Sequence, residues 1–168
     1  MRALCPTKGV TTATANSTRL TRPVAVRDVA GVGERAPEGI VNEAECARVV
    51  ALVAGLVADG VAARDVAVLT PFVGQSARIE RELLRRGLVH DDGVLVRTVH
   101  KLQGGERRVV VFSVAATEPG HLRWLAGRPH LLHVAASRAQ DHLVVFIDAE
   151  RAAREPLLGP LIELAGRG

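Results

Sequence analysis

The first residues able to do chemistry follow a short apolar run at 66–69, a pattern typical of a buried strand. Thr70, Pro71 and Phe72 come directly after the run, and Gln75 lies three positions beyond Phe72. A proline after a buried strand forces a turn that opens the top of a sheet, and an aromatic ring there offers a face for stacking. The alternative interpretation is a strand end followed by a phenylalanine of the core.

A second cluster combines two adjacent glycines with hydrogen-bonding side chains. Its members are Thr98, His100, Lys101, Gln103, Gly104, Gly105 and Glu106. Adjacent glycines allow backbone amides to approach a phosphate or a sugar closely, and Glu106 adds an acceptor suited to ribose hydroxyls. No second His or Cys stands nearby at metal-ligand spacing, so we predict no zinc or other metal site. The alternative is a polar loop between two strands.

The third cluster places an arginine among small residues. Arg138 lies in the segment 133–140, His-Val-Ala-Ala-Ser-Arg-Ala-Gln, immediately before an apolar run. Small neighbours allow close packing against another surface while the guanidinium reaches outward, and its fork geometry suits a phosphate. The alternative is an exposed helical arginine.

The hydrophobic periodicity predicts the elements that must position these clusters. Asn42 followed by Glu45 is a capping-box-like helix start, with Asn in place of Ser or Thr, and apolar residues recur at helical spacing up to Gly60. A second amphipathic helix is predicted over 74–86. Its inward positions are Ile79, Leu83 and Leu84. The other predicted elements are strands at 24–29, 66–70, 94–99, 109–114 and 143–147, helices at 122–126 and 131–139, a loop at 31–39, and a C-terminal helix at 149–166 broken near Pro156, Gly159 and Pro160.

Strands alternate with helices, and the central strands are apolar without interruption. This pattern is typical of a parallel sheet covered on both faces, so we predict a doubly wound α/β domain with a mostly parallel sheet. Ligands of such folds bind at the carboxyl ends of the strands, and we expect all three clusters there. The predicted organisation is a poorly ordered arm or truncated remnant over 1–22, the α/β domain over 23–150, and a helical tail over 151–168.

Composition and charge exclude several classes of protein. The chain has 168 residues, of which 48% are hydrophobic and 24% charged, so one globular domain fits and a disordered tail does not. No uninterrupted apolar stretch reaches the length of a membrane span, and the N-terminus lacks the apolar region of a secretory signal. The two cysteines do not make a disulfide framework, so a cytoplasmic location is expected. The net charge of +4 is compatible with a polyanionic partner.

Taken together, the three clusters resemble motifs IV, V and VI of superfamily 1 helicases. Thr70-Pro71-Phe72 with Gln75 is similar to motif IV, residues 98–106 to motif V, and residues 134–139 to motif VI. The branch with the nonsense-mediated-decay and Okazaki-fragment-processing helicases is the most similar. The resemblance spans about residues 24–148 and is confined to the second, C-terminal RecA-like domain, a P-loop NTPase fold that here lacks the P-loop.

The resemblance implies a role for each matching residue. Arg138 would be the arginine finger that contacts the γ-phosphate of ATP, and Gly105 and Glu106 would lie against the nucleotide, with Glu106 on its ribose. The residues implied to face the single strand, DNA or RNA, are Thr70, Pro71, Phe72, Gln75, Thr98, His100 and Gln103. His133 and Gln140 depart from the asparagine and the basic residue that family members usually carry.

The sequence contains no G-x-x-x-x-G-K-S/T segment and no Walker B acidic pair. The resemblance therefore implies that ATP with Mg²⁺ is held mainly by an N-terminal RecA-like domain or subunit carrying Walker A and B, and that this chain is inactive without it. The alternatives are a non-catalytic nucleic-acid or protein-binding module and a decayed remnant. A nucleotide-binding Rossmann enzyme is disfavoured because no G-x-G-x-x-G follows the first strand.

Overall fold

The computed structural model of the chain describes residues 20, 23–101, 105–156, 158–159 and 162–163. The strands are β1 (Val24–Asp28), β2 (Glu34–Ala36), β3 (Gly39–Val41), β4 (Val66–Thr70), β5 (Leu95–Thr98), β6 (Arg107–Ser113) and β7 (Ala139–Ile147). The helices are α1 (Glu43–Ala58), α2 (Val73–Arg85), α3 (Pro119–Ala126), α4 (Pro129–Arg138) and α5 (Ala149–Ala152). Short 3₁₀ helices span Ala63–Asp65 and Val99–Lys101.

Five strands form one sheet in the order β1-β7-β6-β4-β5, and every pair in it is parallel. Strands β4 and β6 occupy inner positions, and the apolar residues along both are buried on the two faces of the sheet. The predicted doubly wound α/β fold is therefore confirmed.

Two hydrophobic cores lie on opposite faces of this sheet. Because side chains alternate along a strand, Val109 and Val111 of β6 pack against α1 and α2, whereas Val110 and Phe112 pack against α3 and α4. Helix α1 begins as predicted: the side chain of Asn42 accepts a hydrogen bond from the amide of Glu45 at 3.1 Å.

Two of the predicted details are wrong. The loop at 31–39 instead contributes to an antiparallel hairpin of β2 and β3, with Gly39 at a φ of 121° in the turn. Leu84 is 59% exposed, whereas its neighbour Leu83 is fully buried. In the predicted C-terminal helix, α5 ends at Ala152, the break begins at Ala153, and Gly159, Ile162 and Glu163 are again helical; positions 157, 160, 161 and 164–166 lie outside the described residues. The predicted arm lies outside the described residues except for Leu20.

A buried polar network joins α1 and α2 to the carboxyl end of β6. The carboxyl oxygen Oε1 of Glu45 accepts hydrogen bonds from the hydroxyl of Ser113 at 2.5 Å and from the amide of Ala115 at 2.9 Å. The amide of Gln75 donates to the Ser113 hydroxyl at 3.0 Å, and its carbonyl oxygen accepts from the backbone amide of Asn42 at 2.9 Å. Glu45 is 1% exposed, and Ser113, Gln75 and Asn42 are fully buried.

Burial raises the pKa of the Glu45 carboxyl from 4.5 to about 7, since removal from water disfavours the charged form. The hydrogen bonds from Ser113 and Ala115 act in the opposite direction, and the nearby charge of Asp148 adds a small increase. Near neutral pH the network therefore holds a carboxyl group that is readily protonated.

We expect stability to fall as pH rises, because the folded state keeps the proton of Glu45 to a higher pH than the unfolded state does. The stabilisation is complete below pH 4.5 and is lost as pH rises through about 7. Its size is no more than about 3 kcal/mol, at about 1.36 kcal/mol per pKa unit. Glu45→Gln, which mimics the protonated acid, should flatten this dependence in urea unfolding measured at several pH values.

The matched control is Glu38→Gln at an exposed carboxylate outside the network. In this variant the free energy of unfolding should change with pH as steeply as it does in the wild-type chain. An unchanged slope in Glu45→Gln would contradict the assignment of the buried proton to Glu45.

Candidate functional site

The predicted site residues lie at opposite edges of the sheet. Thr70 and Thr98 pair with each other at the carboxyl ends of β4 and β5, whereas Arg107 and Ala139 pair at the amino ends of β6 and β7. Arg138 is the last residue of α4 and enters β7, so it lies at the amino edge. The expectation that all three clusters meet at the carboxyl ends is thus wrong, because the third cluster precedes its strand instead of following it.

At the amino edge, the side chains of Glu106 and Gln140 are joined. The amide of Gln140 donates to Glu106 Oε2 at 3.0 Å, and both residues are exposed. Gly105, immediately before Glu106, has a φ of 84°, a conformation that residues with a side chain rarely adopt. A Cβ at Gly105 would also lie 3.2 Å from the guanidinium of Arg107. The glycine therefore lets the backbone turn directly before the exposed carboxylate.

Arg138 directly precedes β7 and lies two residues before Gln140, at the same end of the sheet. The residue is half-buried, and its Nε is buried without a hydrogen-bond partner among the residues that the structure describes. Leaving a buried guanidinium donor unpaired is costly. The unpaired donor makes Arg138 a candidate anion contact at this edge, and the same holds for Arg107, whose Nε is likewise buried without a partner among the described residues.

Most of the residues predicted to face nucleic acid at the carboxyl edge are buried. Thr70 is fully buried, Pro71 is buried and Thr98 is 6% exposed. The hydroxyl of Thr70 accepts a hydrogen bond from the amide of Phe72 at 3.3 Å. Of this predicted set, His100 is exposed, whereas Gln103 lies outside the described residues.

The position of Gln75 does not fit the predicted contact with nucleic acid. Its side chain is fully buried, and its amide group bonds to Asn42 and Ser113 inside the domain. Gln75 instead holds the start of α2 against β6. This role was not predictable from local sequence, since the partners of Gln75 lie 33 and 38 positions away along the chain.

Phe72 belongs to an aromatic cluster that the sequence analysis missed. Its ring centroid lies 5.6 Å from that of Trp124 and 6.2 Å from that of His121, both on α3. The guanidinium carbon of Arg128 lies 4.3 Å from the centroid of the Trp124 ring. The one feature of the sequence that could have indicated this cluster is Trp124, the single tryptophan of the chain.

Among the residues that the structure describes, no group of three or more His, Cys, Asp or Glu side chains is arranged to hold a metal ion. No helix there combines the length and the apolar character that a bilayer span requires.

The sequence of the chain matches a known protein family and several known proteins. Residues 5–150 match the AAA domain family. The chain is 36% identical over 121 residues to the 3'-5' exoribonuclease HELZ2 of Mus musculus, an alignment covering 64% of this chain and 4% of that protein. It is 27% identical over 124 residues to the regulator of nonsense transcripts 1 homolog of Arabidopsis thaliana, covering 72% of this chain and 10% of that protein. The chain thus spans a small part of the relatives it matches.

A solved structure has the same fold. The C-terminal domain of a possible DNA helicase from Lactobacillus plantarum WCFS1 superposes with a TM-score of 0.53, at 18% sequence identity, over 82% of this chain and 78% of that one.

We expect Gln75→Ala to destabilise the domain by about 2–4 kcal/mol, because the substitution leaves the buried amide of Asn42 unpaired and creates a cavity. Gln140→Ala, at an exposed glutamine, should change the free energy of unfolding by less than about 0.5 kcal/mol. Urea unfolding measures both. A Gln75→Ala variant of wild-type stability that binds single strands more weakly would show instead that Gln75 contacts the ligand.

Proposed function

The chain belongs to the AAA domain family and is a helicase C-terminal domain, and on that premise we propose that it is one half of an ATP-driven nucleic-acid motor of superfamily 1. In this proposal the amino edge of β6 and β7 faces a nucleotide held by a second RecA-like domain with Walker A and B. The carboxyl edge of β4 and β5 lies along a single strand of DNA or RNA. The proposal covers residues 23–150, with 1–22 as an arm and 151–168 as a tail.

The observation that carries the proposal is the guanidinium of Arg138 at the amino edge, with its buried Nε unpaired within the described residues. ATP with Mg²⁺ supplies the phosphoryl group and its counter-ion, and the partner domain holds most of it. Arg138 donates hydrogen bonds to oxygens of the γ-phosphate and stabilises the negative charge that develops there during transfer. Arg138 is half-buried where α4 joins β7, so its backbone is held by both elements.

Glu106 lies where it can accept hydrogen bonds from the ribose hydroxyls of the same nucleotide. Its exposed carboxylate is oriented by the amide of Gln140, and the turn at Gly105 brings the backbone close. In this arrangement Glu106 binds and orients the nucleotide, and Arg138 acts on the reacting phosphate.

The strand path uses the surface residues of the carboxyl edge. Phe72 offers a ring face for stacking, and the exposed His100 lies in the 3₁₀ helix that follows β5. Thr70, Pro71 and Thr98 are buried beneath this surface, and Gln103 is proposed as a further contact.

A cytoplasmic location is proposed from the low cysteine content of the chain. Cys46 is buried, and burial raises the pKa of its thiol to about 11.

We expect Arg138→Ala to lower the ATPase rate about a thousand-fold or more, the scale of an arginine-finger contribution. The assay uses the chain joined to a Walker A/B domain of the same helicase family, with saturating single strand. Thermal unfolding should show that the variant remains folded. Arg138→Lys should recover little, because lysine lacks the planar fork.

The matched control is Arg108→Ala, which removes an exposed arginine at the same edge that pairs with Asp141 at 2.7 Å. It should leave the ATPase rate unchanged. Full activity in Arg138→Ala would contradict the assigned role, whereas salt-sensitive strand binding without ATPase in any pairing would favour the non-catalytic binding module.

For Glu106→Ala in the same joined protein, we expect the KM for ATP to rise about tenfold with kcat nearly unchanged, because a charged hydrogen bond to the ribose is lost. The preference for ATP over its 2′-deoxy and 3′-deoxy analogues should shrink as well. Glu150→Ala, at an exposed surface carboxylate, serves as the control. An unchanged KM and an unchanged preference would show that Glu106 does not contact the ribose.

A further inference from the structure

We propose that Trp124 and Arg128 extend the strand path as a stacking platform for one base of a single-stranded nucleic acid. This inference rests on the proposed function, which places single strands at the carboxyl edge, and it adds two residues that the helicase motifs do not include. Together with Phe72 we call this surface the aromatic platform.

Trp124 contacts both of the other members. The Phe72 and Trp124 rings are tilted by 32° at a centroid distance of 5.6 Å, close to the separation of stacked aromatic pairs. On Trp124 the guanidinium of Arg128 lies 4.3 Å from the ring centroid, and its Nη1 donates to the backbone oxygen of Trp124 at 3.0 Å. The hydrogen bond fixes the guanidinium over the ring.

The platform is accessible at the edge where the strand is proposed to lie. Phe72, Trp124 and Arg128 are all half-buried, so their inner sides pack on the core and their outer sides meet solvent. Phe72 follows β4, and the exposed His100 follows the adjacent strand β5. Val99, the residue before His100, packs in the same core as Phe72 and Trp124.

The aromatic rings and the positive charge of this surface suit a nucleobase with its phosphate. Nucleobases stack on aromatic rings and on guanidinium planes, and the positive charge of Arg128 attracts the phosphate of the same nucleotide. An uncharged apolar partner would leave that guanidinium without a counter-charge. We therefore assign a base of a single strand as the occupant, and stacking makes the site tolerant of base identity.

The chain carries its own probe for this proposal, since it has one tryptophan and no tyrosine. Fluorescein-labelled oligothymidylate or oligouridylate is titrated at low salt and followed by anisotropy, and the unlabelled oligomer is followed by Trp124 emission. We expect the emission to change with the same midpoint as the anisotropy. Trp124→Leu should weaken binding about five-fold or more, and Trp124→Phe should restore most of the affinity.

Arg128→Gln should also weaken binding, whereas Arg154→Gln, at an exposed arginine paired with Glu150, should not. Oligonucleotide binding with unchanged Trp124 emission and wild-type affinity in Trp124→Leu and Arg128→Gln would overturn the platform while leaving the proposed function intact. Absence of binding by the chain and by the joined motor would overturn both. If Trp124→Leu fails to fold, the Trp124 emission of the wild-type chain and the affinity of Arg128→Gln for the oligonucleotide still test the aromatic platform.

Discussion

The hydrogen bonds from Ser113 and Ala115 to the carboxyl group of Glu45 fix the point at which α1 meets the carboxyl end of β6. Ala115 adopts a φ of 57° there, a left-handed conformation that costs a non-glycine residue about 1–2 kcal/mol, and its amide donates to Glu45 in that conformation. Gln75 ties α2 to the same point through Ser113. The beginnings of two helices and the end of the central strand are thus set by one buried network, and the surface beyond Phe72 depends on it.

The candidate nucleotide contacts and the candidate single-strand contacts lie at opposite ends of the strands of the sheet. The candidate phosphate and ribose contacts of Arg138 and Glu106 lie at the amino edge of β6 and β7, whereas Phe72 and His100 lie at the carboxyl edge of β4 and β5. The chain leaves β5 at the carboxyl edge and enters β6 at the amino edge, so the two candidate sites are neighbours in sequence although they lie at opposite ends of the strands.

Much of the fold follows from the sequence because apolar runs that are buried on both faces, such as 109–114, have few alternatives to an inner parallel strand. The hairpin of β2 and β3 was not predictable in this way, since its strands have three residues each and mix exposed polar positions with buried ones. Leu83 and Leu84 fit the same helical pattern, yet Leu83 is buried and Leu84 is exposed. The burial of Gln75 was not predictable because it depends on Ser113, a distant residue. The edge at which Arg138 lies was predictable, since a residue that directly precedes a parallel strand lies at the amino end of that strand.

The most direct test of the two-edge arrangement is a crystal structure of the joined motor with a single-stranded oligonucleotide and ADP–aluminium fluoride, a mimic of the transferring phosphoryl group. The account predicts the guanidinium of Arg138 within hydrogen-bond distance of the fluoride ligands, the carboxylate of Glu106 on the ribose, and the strand at the carboxyl edge beside Phe72. A nucleotide remote from Arg138, or a strand that crosses the amino edge of β6 and β7, would contradict it.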